Sequence, residues 1–231
     1  MDYIRLSPRL QMVADFVPPC ACAADIGTDH GYLPVWLLQN GVIQSAIAAD
    51  IHAGPLANAR QSAAAYDLEE HFRFVLADGL QFSGVQAADV ITIAGMGGET
   101  ICAILAAAPW LREGKQLVLQ PQSKVPELTD WLWRNGFTIE DAALCRDAGK
   151  RYLVLRVLGQ PAVQTYTVEQ LLLRRRDPLL TEHLKEEIRR QTRARAGMAH
   201  AKQTPAAELA ALDARLSQLQ ACLKEVQTWQ S

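Results

Sequence analysis

Several features are missing from this 231-residue chain. No apolar run reaches the ~18–20 residues that cross a bilayer. The opening Met1-Asp2-Tyr3-Ile4-Arg5 has no secretory leader pattern, so no membrane partner is expected and the expected location is the cytoplasm. A large charge of one sign is also absent: 23 Lys+Arg against 25 Asp+Glu give a net charge of −2. With 49% hydrophobic and 21% charged residues, the composition excludes a disordered chain. The five cysteines (Cys20, Cys22, Cys102, Cys145 and Cys222) form no recurring spacing. Cys20-x-Cys22 is not a C-x-x-C and has no His pair beside it, so reduced, buried thiols are expected and no metal site; His52, His71, His183 and His200 are scattered and read as surface or helix residues. Two phosphate-binding signatures are missing too. Asp29 stands where a dinucleotide fingerprint would have its second glycine, and no Gly-Lys-Ser/Thr of a P-loop occurs.

What is present is a repeating alternation. Ser7-Pro8 reads as the cap and first residue of a helix striped by Leu10, Val13 and Val17, which Pro18-Pro19 ends. Short apolar runs at Cys20–Ile26, Ala46–Asp50, Phe72–Ala77, Asp89–Ala94 and Gln116–Gln120 follow, as expected for parallel strands buried on both faces. Helical patterns lie between them at Leu33–Asn40, Pro55–Tyr66, Glu99–Ala107 and Val125–Asn135. Two further strands, Phe137–Leu144 and Tyr152–Leu158, join through Ala148-Gly149 as an antiparallel hairpin. The alternation predicts an α/β fold with a doubly wound, Rossmann-like seven-stranded sheet over residues 1–160.

At Gly159-Gln160-Pro161 the pattern changes, and 161–231 is expected to form a C-terminal helical hairpin. Leu209, Leu212, Leu216, Leu219, Leu223 and Val226 make an a/d seam after a Thr204-Pro205 start, and Leu180, Leu184 and Ile188 stripe a partner helix running to about His200. This short coiled coil leans on the body or on a second chain, so a monomer or a weak homodimer is expected. The charge divides at the same place. Residues 1–158 hold 12 basic and 17 acidic side chains (−5), whereas 159–231 hold 11 and 8 (+3), which points to a polyanionic partner for the tail.

In such a sheet the ligand lies beyond the strand carboxyl ends. The first strand runs into Asp25-Ile26-Gly27-Thr28-Asp29-His30-Gly31-Tyr32-Leu33-Pro34, the second ends at Asp50 and the third at Asp78-Gly79. A carboxylate at Asp29 repels a pyrophosphate but tolerates a cation. Asp50 is placed to accept ribose hydroxyls, and Asp78 to hold an adenine amino group. Three acids in order around a glycine turn describe a nucleoside site without phosphates, which S-adenosyl-L-methionine fits; each Asp could instead simply cap a helix or turn. Ala94-Gly95-Met96-Gly97-Gly98 after the fourth strand would let backbone approach a flat substrate. The rival reading, a phosphate nest, has no basic residue near it.

The segments 25–34, 94–98 and Leu119-Gln120-Pro121-Gln122, with Leu6-Ser7-Pro8-Arg9-Leu10 and Lys150-Arg151-Tyr152, resemble the bacterial tRNA (adenine-22-N1)-methyltransferase family over nearly the whole chain. Gln122 and Cys145-Arg146-Asp147 depart from that family's pattern. The resemblance implies methyl transfer from S-adenosyl-L-methionine to N1 of an adenine in the tRNA D-arm. Asp29, His30 and Tyr32 are then the catalytic candidates, Asp29 for electrostatic stabilisation or proton acceptance, His30 and Tyr32 for stacking on the base. The blander roles are a turn histidine and a core tyrosine. Asp25, Gly27, Thr28, Gly31, Asp50, Ile51, Asp78, Gly79, Ala94, Gly95 and Met96 would hold the cofactor. Arg9, Arg174, Arg175, Arg176, Arg189, Arg190 and Arg193 would contact RNA, since 170–200 carries eight basic side chains against four acids; a solvated helix face with pairs such as Glu186–Arg190 is the alternative. The competing functions are a methyltransferase for another RNA base, a small molecule or a protein, and a non-catalytic nucleoside-binding protein.

Overall fold

The computed structural model describes residues 3–162, 164–199 and 206–229. The chain divides into two compact units, Met1–Thr165 and Tyr166–Ser231. None of the helices among the described residues is long and apolar enough to cross a membrane.

The first unit is built on seven strands, β1 (Cys20–Ile26), β2 (Ile43–Asp50), β3 (Phe72–Leu76), β4 (Val90–Gly97), β5 (Gln116–Ser123), β6 (Thr138–Asp147) and β7 (Lys150–Leu158). They lie in the order β3-β2-β1-β4-β5-β7-β6. The first five pair in parallel, and β7 is antiparallel to both β5 and β6. The expected terminal hairpin is therefore real, and its last strand slots between β5 and β6. Its two-residue turn uses Ala148 and Gly149 at φ +46° and +76°, the left-handed pair that matches strand twist. Five helices flank the sheet: α1 (Pro8–Phe16), α2 (Tyr32–Gln39), α3 (Ala53–Ala65), α4 (Gly98–Ala106) and α5 (Val125–Arg134). Ser7 caps α1 as its sequence suggests, its Oγ accepting from Leu10 N. Val13, Phe16 and Val17 at that helix then meet Leu33, Leu37, Ile43, Val90, Val118 and Val154 in one core.

Two expectations need correction. The strand ending at Ala94 continues to Gly97, because bulges between Ala94 and Met96 and between Met96 and Gly97 let it stay paired with β5. Gly95 and Gly97 thus belong to a kinked strand end rather than a free loop, and Gly98 opens α4. Among its described residues the tail also holds three helices, α6 (Val168–Arg175), α7 (Leu180–Ala199) and α8 (Ala206–Trp229), not a bare hairpin. Thr167 and Gln170 close a reciprocal capping box on α6, and Arg176 ends it at φ +54°. Arg174, Arg175 and Arg176 therefore lie at the end of α6 rather than within the hairpin. The predicted Thr204-Pro205 cap and the helix end at His200 fall outside the described residues.

On α8 the predicted seam is the covered face: Leu216, Leu219 and Val226 are buried and Leu209, Leu212 and Leu223 half-buried. The Arg195–Asp213 ion pair, whose Nη2–Oδ2 distance is 3.1 Å, ties the last part of α7 to the first half of α8. Beneath them Glu169 is buried, 2.6 Å from Arg215 Nη2 and 3.9 Å from His183 Nε2. Burial pushes its carboxyl up, but His183 and Arg215 outweigh that and hold it at about 2. A depressed acid contributes stability above its unfolded pKa and loses it as pH falls through the folded one. The contribution, on the order of 3 kcal/mol, is full above the ordinary value of 4.5 and vanishes towards pH 2. Thermal scans should show Glu169→Ala less stable than wild type at pH 7, with the difference shrinking across that window; a pH-independent difference would refute the ion-pair account.

Candidate functional site

The carboxyl ends of β1 to β4 meet at one edge of the sheet. After Ile26 the chain reverses within five residues, with Gly27, Asp29 and Gly31 at φ +75°, +50° and +67°. The reversal is fastened to β2, since Gly27 N and Thr28 N both donate to the Ala49 carbonyl, at 2.8 and 3.1 Å. Gly31 starts α2, where a Cβ would come within 2.9 Å of Ala59 Cβ and 3.1 Å of its Cα. Gly31→Ala meets both that backbone and left-handed strain, at about 2–4 kcal/mol. A melting temperature lower by roughly 5–10 °C is expected, and an unchanged one would remove the close-packing role.

Beside this turn lies a pocket of about 340 Å³, within the range of small-molecule sites. Gly27, Asp50, Ile51, Asp78, Gly79 and Met96, all expected from the sequence, line it. Asp50 is 9% exposed, and its Oδ1 accepts from His52 N at 2.9 Å, which orients the carboxylate. Ile51 is 55% exposed, an apolar side chain open to a flat ring. Met96 folds over Gly27: its Cε lies 2.3 Å from where a Cβ on Gly27 would sit.

Asp25, Thr28, Gly31, Ala94 and Gly95 are not part of this lining. Asp25 is buried below it and accepts from Thr92 Oγ1 at 2.7 Å. Burial raises its pKa, the Thr92 and Thr28 hydroxyls oppose the rise, and the Asp50 charge adds to it. The Thr28 hydroxyl is buried beside the Asp25 carboxylate. Sequence reasoning missed the opposite wall, Thr100, Ala103 and Ile104 of α4 with its C-cap Ala107, together with Leu80 and Gln81. Their i, i+3, i+4, i+7 spacing was the available signal.

The three catalytic candidates sit together at the tip of the turn. Asp29 has a 72% exposed side chain, with His30 Nε2 3.7 Å from its Oδ1. The His30 and Tyr32 rings stack at 5.1 Å and 17°. Tyr32 is 42% exposed, so it is not a core aromatic. Arg9 is half-buried, and its guanidinium donates to Gln120. On α7, Lys185, Arg189 and Arg193 recur every fourth residue on an exposed face, while Arg190 pairs with Glu187 at 2.6 Å. No group of three or more His, Cys, Asp or Glu able to hold a metal occurs among the described residues.

The family profile described as "Methyltransferase domain" matches residues 6–155. The tRNA (adenine(22)-N(1))-methyltransferase of Bacillus subtilis is 38% identical over 156 residues, which span 67% of this chain and 66% of that protein, just under two thirds of its length. Solved structures match over more. Streptococcus pneumoniae Sp1610, also determined in complex with S-adenosyl-L-methionine, superposes with a TM-score of 0.78 at 30% identity over 95% of this chain and 100% of that one. The B. subtilis M1A22 tRNA methyltransferase TrmK gives 0.77 at 27% identity over 95% and 99%. The chain belongs to the tRNA (adenine(22)-N(1))-methyltransferase family.

Proposed function

We propose that the protein transfers the methyl group of S-adenosyl-L-methionine to N1 of an adenine, position 22 of the D-arm, in tRNA. The observation that carries this reading is the pocket lined by the nearly buried Asp50 and the exposed Asp78, with Asp29, His30 and Tyr32 gathered at the turn beside Gly27. The cofactor supplies an electrophilic methyl on a sulfonium. Asp50 binds the ribose hydroxyls, Asp78 with the 78–79 backbone holds the adenine, and Ile51 covers its ring. Thr28, Asp25 and the 27–31 turn enclose the methionine end, and Gly31 keeps that turn closed against α3.

On the acceptor side, neutral adenine N1 has an in-plane lone pair and needs no prior deprotonation. The bond from sulfur to methyl breaks as the bond from N1 to methyl forms, and positive charge passes to the base. Asp29 stabilises that charge and is positioned to take a proton from the exocyclic amine, while the His30–Tyr32 stack offers a platform for an unstacked base. Exposure of that platform favours RNA over a small substrate that would be enclosed.

The 1–160 body thus carries the chemistry and the 161–231 tail carries phosphate contacts through Arg174, Arg175, Arg176, Arg189, Arg190 and Arg193. The covered α8 seam supports a monomer, or at most a weak homodimer through α7 and α8, working in the cytoplasm. Reversing charge at Arg189 and Arg193 to Glu should weaken tRNA binding roughly 10- to 100-fold and lower the salt slope by about two, with cofactor affinity unchanged. Equal binding across a salt series would remove the tail from the interface. The activity itself is tested with labelled S-adenosyl-L-methionine and unmodified bulk tRNA, followed by digestion. Labelled 1-methyladenosine is expected; cofactor binding without labelled RNA overturns the assignment.

A further inference from the structure

Gln120 is wholly buried at the end of the regular part of β5, yet it is polar, and both its amide oxygen and its amide nitrogen are hydrogen-bonded. Its Oε1 accepts from Arg9 Nη1 at 2.9 Å and from Gly95 N at 3.1 Å, and its Nε2 donates to the Pro121 carbonyl at 3.0 Å. One amide therefore joins α1, β5 and the bulged end of β4. Gly95 lies at the register break between the pairs Ala94↔Gln120 and Met96↔Pro121, where a bulge leaves a strand residue without its ladder partner. The Gln120 side chain supplies that partner.

This has a directional consequence. The peptide between Ala94 and Gly95 is trans, so N–H and C=O point opposite ways across it. With the Gly95 N–H held towards β5, the Ala94 carbonyl is turned to the β1 side. There the β1–β4 pairing has already stopped at Ile26↔Ile93, and Gly27 and Met96 face the pocket. Arg9 holds the amide from behind. Its backbone N–H donates to Asp147 Oδ2 at 3.3 Å, and its guanidinium lies 5.7 Å from the Tyr152 ring centroid, which anchors it to the β6–β7 hairpin. A charged donor makes the stronger of the two bonds to Oε1.

We infer that Gln120, braced by Arg9, is a positioning residue for methyl transfer: it sets the orientation of the Ala94–Gly95 peptide that leads into the pocket-lining Met96, and thereby the alignment of the acceptor base. The inference rests on the proposed methyltransferase reading. Neither side chain lines the cofactor pocket, so the effect falls on the chemical step and not on cofactor binding. An orientation error of about 1 Å at a reacting centre is enough for a 100-fold loss.

The experiment compares Gln120→Leu, Arg9→Ala, Arg9→Lys and the Arg9→Ala/Gln120→Leu double variant in the full chain. kcat and KM for tRNA are measured with S-adenosyl-L-methionine, its Kd by calorimetry and the melting temperature by scanning calorimetry. Gln120→Leu is expected to lower kcat about 100-fold with cofactor Kd within about twofold of wild type. Arg9→Lys, which keeps a cationic donor, should recover at least about tenfold over Arg9→Ala, and the double variant should be no slower than Gln120→Leu, because residues acting as a unit do not add. A purely packing role predicts a lower melting temperature with kcat within about threefold of wild type, and that result overturns the inference. If Gln120→Leu does not fold, Arg9→Ala decides alone: slower turnover at an unchanged melting temperature supports the role, and unchanged turnover overturns it. A wild-type protein that binds the cofactor but labels no RNA overturns the proposed function and this inference with it, a failure visible before any variant is made.

Discussion

Replacing Asp50 with alanine is expected to weaken S-adenosyl-L-methionine binding by roughly 100- to 1,000-fold. A ribose diol offers two hydroxyl donors, and each hydrogen bond to a charged acceptor contributes about 1.5–3 kcal/mol. Three features keep the Asp50 carboxylate ready for that task. It ends β2 between two paired strands, it is nearly buried, and the His52 N–H fixes one of its oxygens. Little ordering entropy remains to be lost on binding. Asp50→Asn keeps an oxygen for His52 but turns the second acceptor into a donor, so its loss should fall between, at about 10- to 100-fold. Calorimetric titration gives both values. A loss below about fivefold in the alanine variant, with the melting temperature intact, would take Asp50 out of the ribose contact.

The second large effect is at Asp29. Its φ of +50° is left-handed, a region that Asn and Asp enter more readily than other side chains. Asp29→Asn therefore removes charge at constant backbone, whereas alanine would mix in strain. We expect kcat to fall about 100-fold in Asp29→Asn with cofactor affinity nearly unchanged. Asp29 is exposed and screened in the free protein, so its field matters once the base covers the site and excludes water. Turnover within about threefold of wild type would remove Asp29 from charge stabilisation and leave it as a turn residue.

Strand–helix alternation was legible because β1, β2, β4 and β5 are buried on both faces and read as continuous Ala/Val/Ile/Leu runs. Boundaries were less so. Ile43-Gln44-Ser45 opens β2 with polar residues at a strand start that is partly exposed, so its apolar signal begins only at Ala46. Gly95 and Gly97 look like a loop by composition, yet pairing with β5 carries the strand through its bulges. α6 went unread although Thr167-Val168-Glu169-Gln170 is a capping box, because its eight residues make too little periodic pattern to stand out. In the site, the acids at strand ends were visible because topology alone places them. The link from Arg9 to Gln120 was not, since it depends on a contact between residues 111 positions apart in the chain.

The placement of β7 between β5 and β6 governs how this fold is completed during synthesis. Until the chain has emerged through Leu158, β5 has a vacant hydrogen-bonding edge along Gln116–Leu119, and β6 has no partner strand at all. A nascent or truncated chain that stops short of Lys150 thus presents an apolar strand edge able to recruit another polypeptide. Commitment of the first unit to its native topology awaits its last strand, and pulse-labelled or stalled chains ending at 149 and at 165 should differ sharply in protease resistance.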